Sequence, residues 1–112
     1  MGILDNQKSC AIIIVTHNSS LSIDECLGPL VAIPGLEIVV IDNNSQDDCV
    51  LMVKMDFTTI TVMALDENLG FGRACHIGVA ASSGSCLMFL NPDAVVSPDA
   101  LKALVTFLEG HC

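Results

Sequence analysis

Three charged side chains in this 112-residue sequence stand where a binding site is easily built, just after short apolar runs or at the start of a helix. Asp42 follows the run Leu36 to Ile41 (LEIVVI) and opens the polar stretch Asp42-Asn43-Asn44-Ser45-Gln46-Asp47-Asp48. A carboxylate there can accept hydrogen bonds from a nucleoside base or sugar, but Asp and Asn are also common turn formers and helix caps. Asp47 and Asp48 read as solvated acids in the first turn of a following helix. Asp93 follows Cys86 to Leu90 (CLMFL) and Pro92, whose ring stiffens the turn. It can bind a hard divalent cation whose other positions are filled by water and phosphate oxygens, or serve as an ordinary turn residue. Arg73 comes just after Gly70-Phe71-Gly72, where glycines let a ligand approach the backbone at a helix N-terminus. A cation in the first helical turn opposes the dipole by about 0.3 kcal/mol or more. Either an anionic partner lies near Arg73 or it is a plain surface arginine. His76 lies one turn further on the same face.

The elements that must position these residues alternate in type. Ala11 to Thr16 (AIIIVT), Leu36 to Ile41, Ile60 to Ala64 (ITVMA) and Cys86 to Leu90 are continuously apolar, as strands covered on both faces are. Between the first two, Ser22-Ile23-Asp24-Glu25 has capping-box spacing, and Ile23, Cys26, Leu27 and Leu30 form a helical stripe that Pro29 should end early or bend. A short helix capped by Ser45 is expected over 46–54. Over Leu69 to Ser82 the stripe is Ala74, Ile77, Gly78 and Ala81, with Gly84 as the stop. Ser97-Pro98-Asp99 combines an N-cap, a proline at the first helical position and an acid in the first turn. Leu101, Leu104, Val105 and Leu108 should be its buried face, and Gly110 its end. This alternation predicts a single α/β domain over 1–112, a three-layer α/β/α arrangement around a mainly parallel sheet. In such sheets ligands collect at the carboxyl ends of the strands, where Asp42 and Asp93 stand.

Composition narrows the choice of ligand. Thirteen acidic residues against Lys8, Lys54, Arg73 and Lys102 give a net charge of -9, with no basic stripe for a polyanion, so nucleic-acid binding is not expected. A small anion remains compatible if a metal ion or helix N-termini supply positive field. No stretch approaches a membrane span. Six cysteines show no CxxC spacing and no secretory signal precedes them, so Cys10, Cys26 and Cys86 read as small buried hydrophobes in a reducing, cytoplasmic compartment.

Familiar alternatives fail on residues. The first strand ends Thr16-His17-Asn18-Ser19-Ser20, without the glycines of a dinucleotide-binding turn, and Gly70-Phe71-Gly72 lacks the third glycine because position 75 is Cys. A receiver domain needs an acidic pair after the first strand and a lysine at a later strand end, and neither is present.

Four segments, IIIVTHNSS, EIVVIDNNSQDD, ENLGFGRACHIG and LMFLNPDAVVSPDAL, together resemble family 2 glycosyltransferases of the GT-A fold, in family order and spacing from about Ala11 to Leu108. The ENLGFG and NPDA segments look most like the rhamnosyltransferase-type branch. The resemblance implies the N-terminal, Rossmann-like half that binds a nucleotide-diphosphate sugar such as a UDP- or dTDP-sugar. It implies that Thr16, His17, Asn18 and Asp42 hold the nucleoside, with Asp42 near the base. Asn68 and Arg73 would lie near the ribose and diphosphate, and Asp93 would bind Mg2+ or Mn2+ bridging that diphosphate. Position 91 is Asn where the family's metal motif has Asp, and His76 stands where the family often has Asn. The chain is expected to be a truncated half without the acceptor site and the catalytic base, and no residue is assigned as catalytic. Its bared sheet edge is expected to pair with a second copy. A non-catalytic α/β module that keeps the fold for partner binding or regulation is the alternative.

Overall fold

The computed structural model describes residues 10–33, 35–82 and 86–110, and within these the side chains of all but 86, 101, 105 and 107–110. The chain alternates strand and helix throughout: β1 (Cys10–Thr16), α1 (Ile23–Val31), β2 (Leu36–Asp42), α2 (Cys49–Asp56), β3 (Thr61–Ala64), α3 (Phe71–Ala81), β4 (Cys86–Leu90) and α4 (Pro98–Gly110). All strand pairs are parallel, in the order β3-β2-β1-β4. The chain steps outward from β1 to β3 and then returns to the far side of β1. That reversal leaves a switch point between the carboxyl ends of β1 and β4.

The period-2 alternation of β1 and β2 divides the core. Cys10, Ile12, Ile14, Ile38 and Val40 pack with Ile23, Cys26, Leu27 and Leu30 of α1 and with Cys49 and Val53 of α2; Leu104 of α4 joins them. On the opposite face Ile13, Val15, Val39 and Ile41 pack with Ala74 of α3. Each buried Ile, Leu or Val contributes about 1.5–3 kcal/mol by leaving water, so the two central strands carry most of the stability. The close approach of α3 is possible because position 78 is glycine: a Cβ there would lie 2.5 Å from Cγ2 of Ile13.

Several local expectations need correction. The runs at 60–64 and 86–90 are not covered on both faces. They form the two edges of the sheet, and Met63 and Phe89 are 38% and 51% exposed. Helix α1 runs two residues past Pro29 before it ends. Ser22 occupies the N-cap position, but its hydroxyl donates to the Pro92 carbonyl (3.0 Å) in place of capping the helix. Helix α2 starts later than expected, at Cys49 with Asp48 as N-cap, because the Ser45 side chain is drawn to Asp42. Ala81 is exposed at the end of α3. The start of α4 is as read: the Ala100 N–H donates to Ser97 Oγ at 3.1 Å. Gly84 and the side chains of Cys86, Leu101, Val105 and Leu108 lie outside the described residues.

Candidate functional site at the carboxyl rim of the sheet

Four loops leave the carboxyl ends of the strands, over 17–22, 43–48, 65–70 and 91–97, and each is latched to a neighbour. Thr16 and Asp42 are register partners at the last rung of the β1–β2 ladder. The buried Thr16 hydroxyl donates to Asp42 Oδ1 at 2.6 Å. The Ser45 N–H donates to Asp42 Oδ2 at 2.8 Å, and the Ser45 hydroxyl also donates to Oδ1. Asp42 is only 2% exposed. Its charge is therefore stabilised by three internal donors, which is how a buried carboxylate escapes its desolvation penalty.

Ser45 continues the linkage outward. Its Oγ accepts from the Asn18 N–H at 2.8 Å, and Asn18 Oδ1 accepts from the Gln46 N–H at 2.7 Å. The two loops thus clasp each other reciprocally. Asn18 (φ 53°) and Asn44 (φ 61°) are both left-handed, a conformation Asn tolerates better than most residues. His17 is exposed and places Nδ1 2.9 Å from the Asn43 carbonyl.

Asp47, expected as a solvated first-turn acid, instead lies ahead of α2 and accepts from the Ser20 N–H (3.0 Å) and the Cys49 N–H (3.0 Å). Desolvation pushes its carboxyl upward, but hydrogen bonds from the backbone of Ser20 and Cys49 and from the Ser20 side chain outweigh it and hold it below the ordinary range. Asp48 is exposed.

The third loop is fastened by Asn43, a residue the sequence reading did not single out. Its Nδ2 donates to the Gly70 carbonyl (3.2 Å), and its Oδ1 accepts from the Leu69 N–H (3.1 Å). The signal available was its place at the end of an apolar strand, where an amide can satisfy two backbone groups at once. Asn68 is exposed, and its Oδ1 accepts from the Gly70 N–H at 2.9 Å. Gly70 itself is the N-cap of α3 with φ +87°, a conformation that favours glycine. Arg73 and His76 are both exposed on the helix that follows.

The fourth loop faces the first. The Cys26 thiol donates to the Asn91 carbonyl at 3.6 Å. Burial, with the nearby Asp93 charge adding to it, pushes that thiol up to about 11. Asp93 is exposed. Among the described residues no group of three or more His, Cys, Asp or Glu stands where it could hold a metal ion.

Of the expected contacts, then, His17, Asn18, Asn68, Arg73 and Asp93 are at the solvent-facing rim, while Thr16 and Asp42 form a buried strut beneath it. Asp93 follows β4 at one edge of the sheet, while Arg73 lies in the first turn of α3, which packs on β1 and β2 and whose entry loop is fastened to Asn43 at the end of β2. A cavity of about 480 Å³ lies elsewhere, at the amino ends of β2 and β3 between Ile33, Leu36, Ile38 and Ile60. It contains none of the expected residues.

The sequence profile of glycosyl transferase family 2 matches residues 11–112. The chain belongs to that family. An uncharacterized glycosyltransferase of Haemophilus influenzae is 27% identical over 96% of this chain and 35% of its own length. The succinoglycan biosynthesis protein ExoO of Rhizobium meliloti is 28% identical over 91% of this chain and 30% of its own. The chain therefore spans about a third of the length of the relatives it matches. The S. aureus TarS 1–349 structure in complex with UDP-GlcNAc superimposes with a TM-score of 0.78 at 24% identity, covering 92% of this chain and 32% of that one. The mannosyltransferase PcManGT from Pyrobaculum calidifontis, in complex with GDP-Man and Mn2+, gives 0.74 at 19% identity, covering 91% and 32%. At these identities the likeness establishes the fold. Among the described residues no helix is long and apolar enough to cross a membrane.

Proposed function

We propose that this family 2 chain is the donor-binding part of an inverting glycosyltransferase that moves a sugar from a nucleotide-diphosphate sugar to an acceptor hydroxyl. The observation that carries the reading is the family match across 11–112, with its motif segments forming the interlocked loops of one rim. A nucleotide sugar is extended enough to run along that rim. His17 and Asn18 would meet the nucleoside, Asn68 and Arg73 the ribose and diphosphate. Thr16 and Asp42 would act from below by holding the first two loops in place. TarS in complex with UDP-GlcNAc and PcManGT in complex with GDP-Man support donors of this class.

A divalent ion, Mg2+ or Mn2+, would bind with the donor rather than before it, taking one oxygen from Asp93 and the rest from the diphosphate and water. Its contribution would be to neutralise charge on the leaving nucleotide. The mannosyltransferase neighbour in complex with Mn2+ supports this reading. Acceptor site and catalytic base belong, in this reading, to a part of the enzyme beyond these residues. Cysteines without CxxC spacing, of which Cys26 and Cys49 pack in the core as small hydrophobes, support a reducing compartment such as the cytoplasm. Among the described residues strand β4 pairs on one side only, and that edge would pair with a second copy, giving a concentration-dependent dimer in analytical ultracentrifugation.

Calorimetric titration tests the reading. UDP or dTDP with Mn2+ should bind, Arg73→Ala should weaken that binding, and Asp93→Ala should abolish its metal dependence. Absence of binding at millimolar nucleotide would favour a non-catalytic module.

A further inference from the structure

We propose that His17 is held as the Nδ1–H tautomer, so that Nε2 presents a lone pair at the rim to a hydrogen-bond donor of the bound nucleoside. This rests on the nucleotide-binding reading for the identity of the ligand, but not for the state of the ring.

Two backbone groups determine the ring state independently. The atom 2.9 Å from Nδ1 is the Asn43 carbonyl oxygen, which can only accept. Nδ1 must therefore carry the proton, and in a neutral ring that leaves Nε2 as acceptor. On the other side, Asn18 Oδ1 accepts the Gln46 N–H at 2.7 Å, which fixes the orientation of that amide. Its Nδ2 donor is then the group turned toward His17 Nε2, 3.5 Å away. A donor beside Nε2 agrees with an acceptor there, and the two arguments share no atom. An imidazole left to solvent favours the opposite tautomer, so the loop geometry imposes this one.

The site gains selectivity from this. At 3.5 Å the Asn18 contact is weak, and the ring is exposed, so Nε2 has capacity for a better donor from a ligand. A nucleoside offers two kinds: the imide N–H of a uracil or thymine base, and a ribose hydroxyl. A ligand presenting only acceptors to this atom would leave two lone pairs facing each other. His17 thus reads donor against acceptor at one point of the ligand, a role that a phenyl ring of similar size would lose.

The test uses the whole chain, uniformly labelled with 15N, at a pH well above the ordinary histidine range so that the ring is neutral. A long-range 1H–15N correlation spectrum should show His17 with Nδ1 protonated and Nε2 bare; the reverse would overturn the proposal. Adding UDP with diamagnetic Mg2+ should then move the Nε2 resonance as it accepts a hydrogen bond. His17→Phe should weaken UDP binding about tenfold, while His17→Gln, which restores an acceptor, should stay within about threefold of the parent. The N3-methyl, 2′-deoxy and 3′-deoxy analogues of UDP separate the donors, since only the one lacking the group read by Nε2 loses affinity, and no loss with any of the three would overturn the proposal. UDP that binds and shifts the rim without moving Nε2 would overturn the proposal while leaving the nucleotide reading intact. UDP that binds nowhere, with the ring in the Nδ1–H form, would overturn the nucleotide reading and the ligand role of His17 with it.

Discussion

Thr16 and Asp42 end two neighbouring parallel strands as register partners, and the Thr16 hydroxyl donates a 2.6 Å hydrogen bond to a carboxylate that is 2% exposed. That bond sits directly under the two loops that carry His17 and Asn18 on one side and Asn43 to Gln46 on the other. The rim is therefore built on a buried charge, and its geometry depends on that charge keeping its three donors.

Removing the carboxylate strands those donors. Asp42→Ala should lower unfolding stability by about 3 kcal/mol, since each orphaned buried donor costs on the order of 1–3 kcal/mol. Thr16→Val should cost about 1–2 kcal/mol, and the two losses should not add, because both remove the same contact. Urea denaturation of the two single variants and the double variant measures this. A loss below about 1 kcal/mol for Asp42→Ala would mean that the strut is not needed.

Close packing of α3 on β1 makes a second prediction. Gly78→Ala places a methyl group 2.5 Å from Cγ2 of Ile13, on a part of that side chain too near its backbone to swing away. Overpacking of this kind costs about 1–3 kcal/mol, more than the helix propensity that alanine adds over glycine. The expected outcome is a lower denaturation midpoint with an unchanged slope. In a double-mutant cycle Ile13→Ala, which removes Cγ2, should make the Gly78→Ala change less costly, whereas Ile13→Val, which keeps Cγ2, should not.

Two surface acids should respond to pH with opposite signs. Asp47 titrates below its ordinary range in the folded chain, so its contribution is present above the unfolded pKa and fades as pH falls through the folded one. Asp47→Asn should remove that contribution and flatten the acid limb of the stability profile. Asp24 is raised, by desolvation first and then by the charge of Asp56 and a hydrogen bond with it. The folded state binds this proton more tightly, so the ionised pair opposes folding at neutral pH and the opposition is relieved on acidification. Asp24→Asn should therefore stabilise the chain at pH 7 and lose that advantage in acid. Both effects should shrink in high salt, because the groups are close to solvent. Thermal melts across pH at two ionic strengths check the pair.

The sequence displays the strands and their order of use more plainly than it displays the bonds between loops. Ile12 to Ile14 and Val39 to Ile41 are β-branched and unbroken, and both segments are buried throughout. The equally apolar runs in β3 and β4 look the same in one dimension, yet they are edges, because coverage depends on which strands flank them. The helix caps depart from the sequence pattern for a similar reason. Ser22 and Ser45 have the spacing of helix caps, but Pro92 and Asp42, distant in sequence or in another direction, hold their hydroxyls. Asp42, Arg73 and Asp93 were located at strand ends or a helix start by sequence alone. Nothing local showed that Asp42 would be enclosed by Thr16 and Ser45 while Asp93 stays in solvent, since burial is decided by the neighbouring loops.

Paramagnetic broadening by Mn2+ in an amide correlation spectrum of the whole chain, recorded with and without UDP, tests the central claim most directly. Mn2+ alone should cause little site-specific broadening. With UDP present, broadening should centre on Asp93 and extend to the first loop across the β1–β4 switch point, and diamagnetic shifts from Mg2+ and UDP should reach Arg73. Broadening centred on the cavity between Ile33, Leu36, Ile38 and Ile60, or no difference on adding UDP, would contradict it.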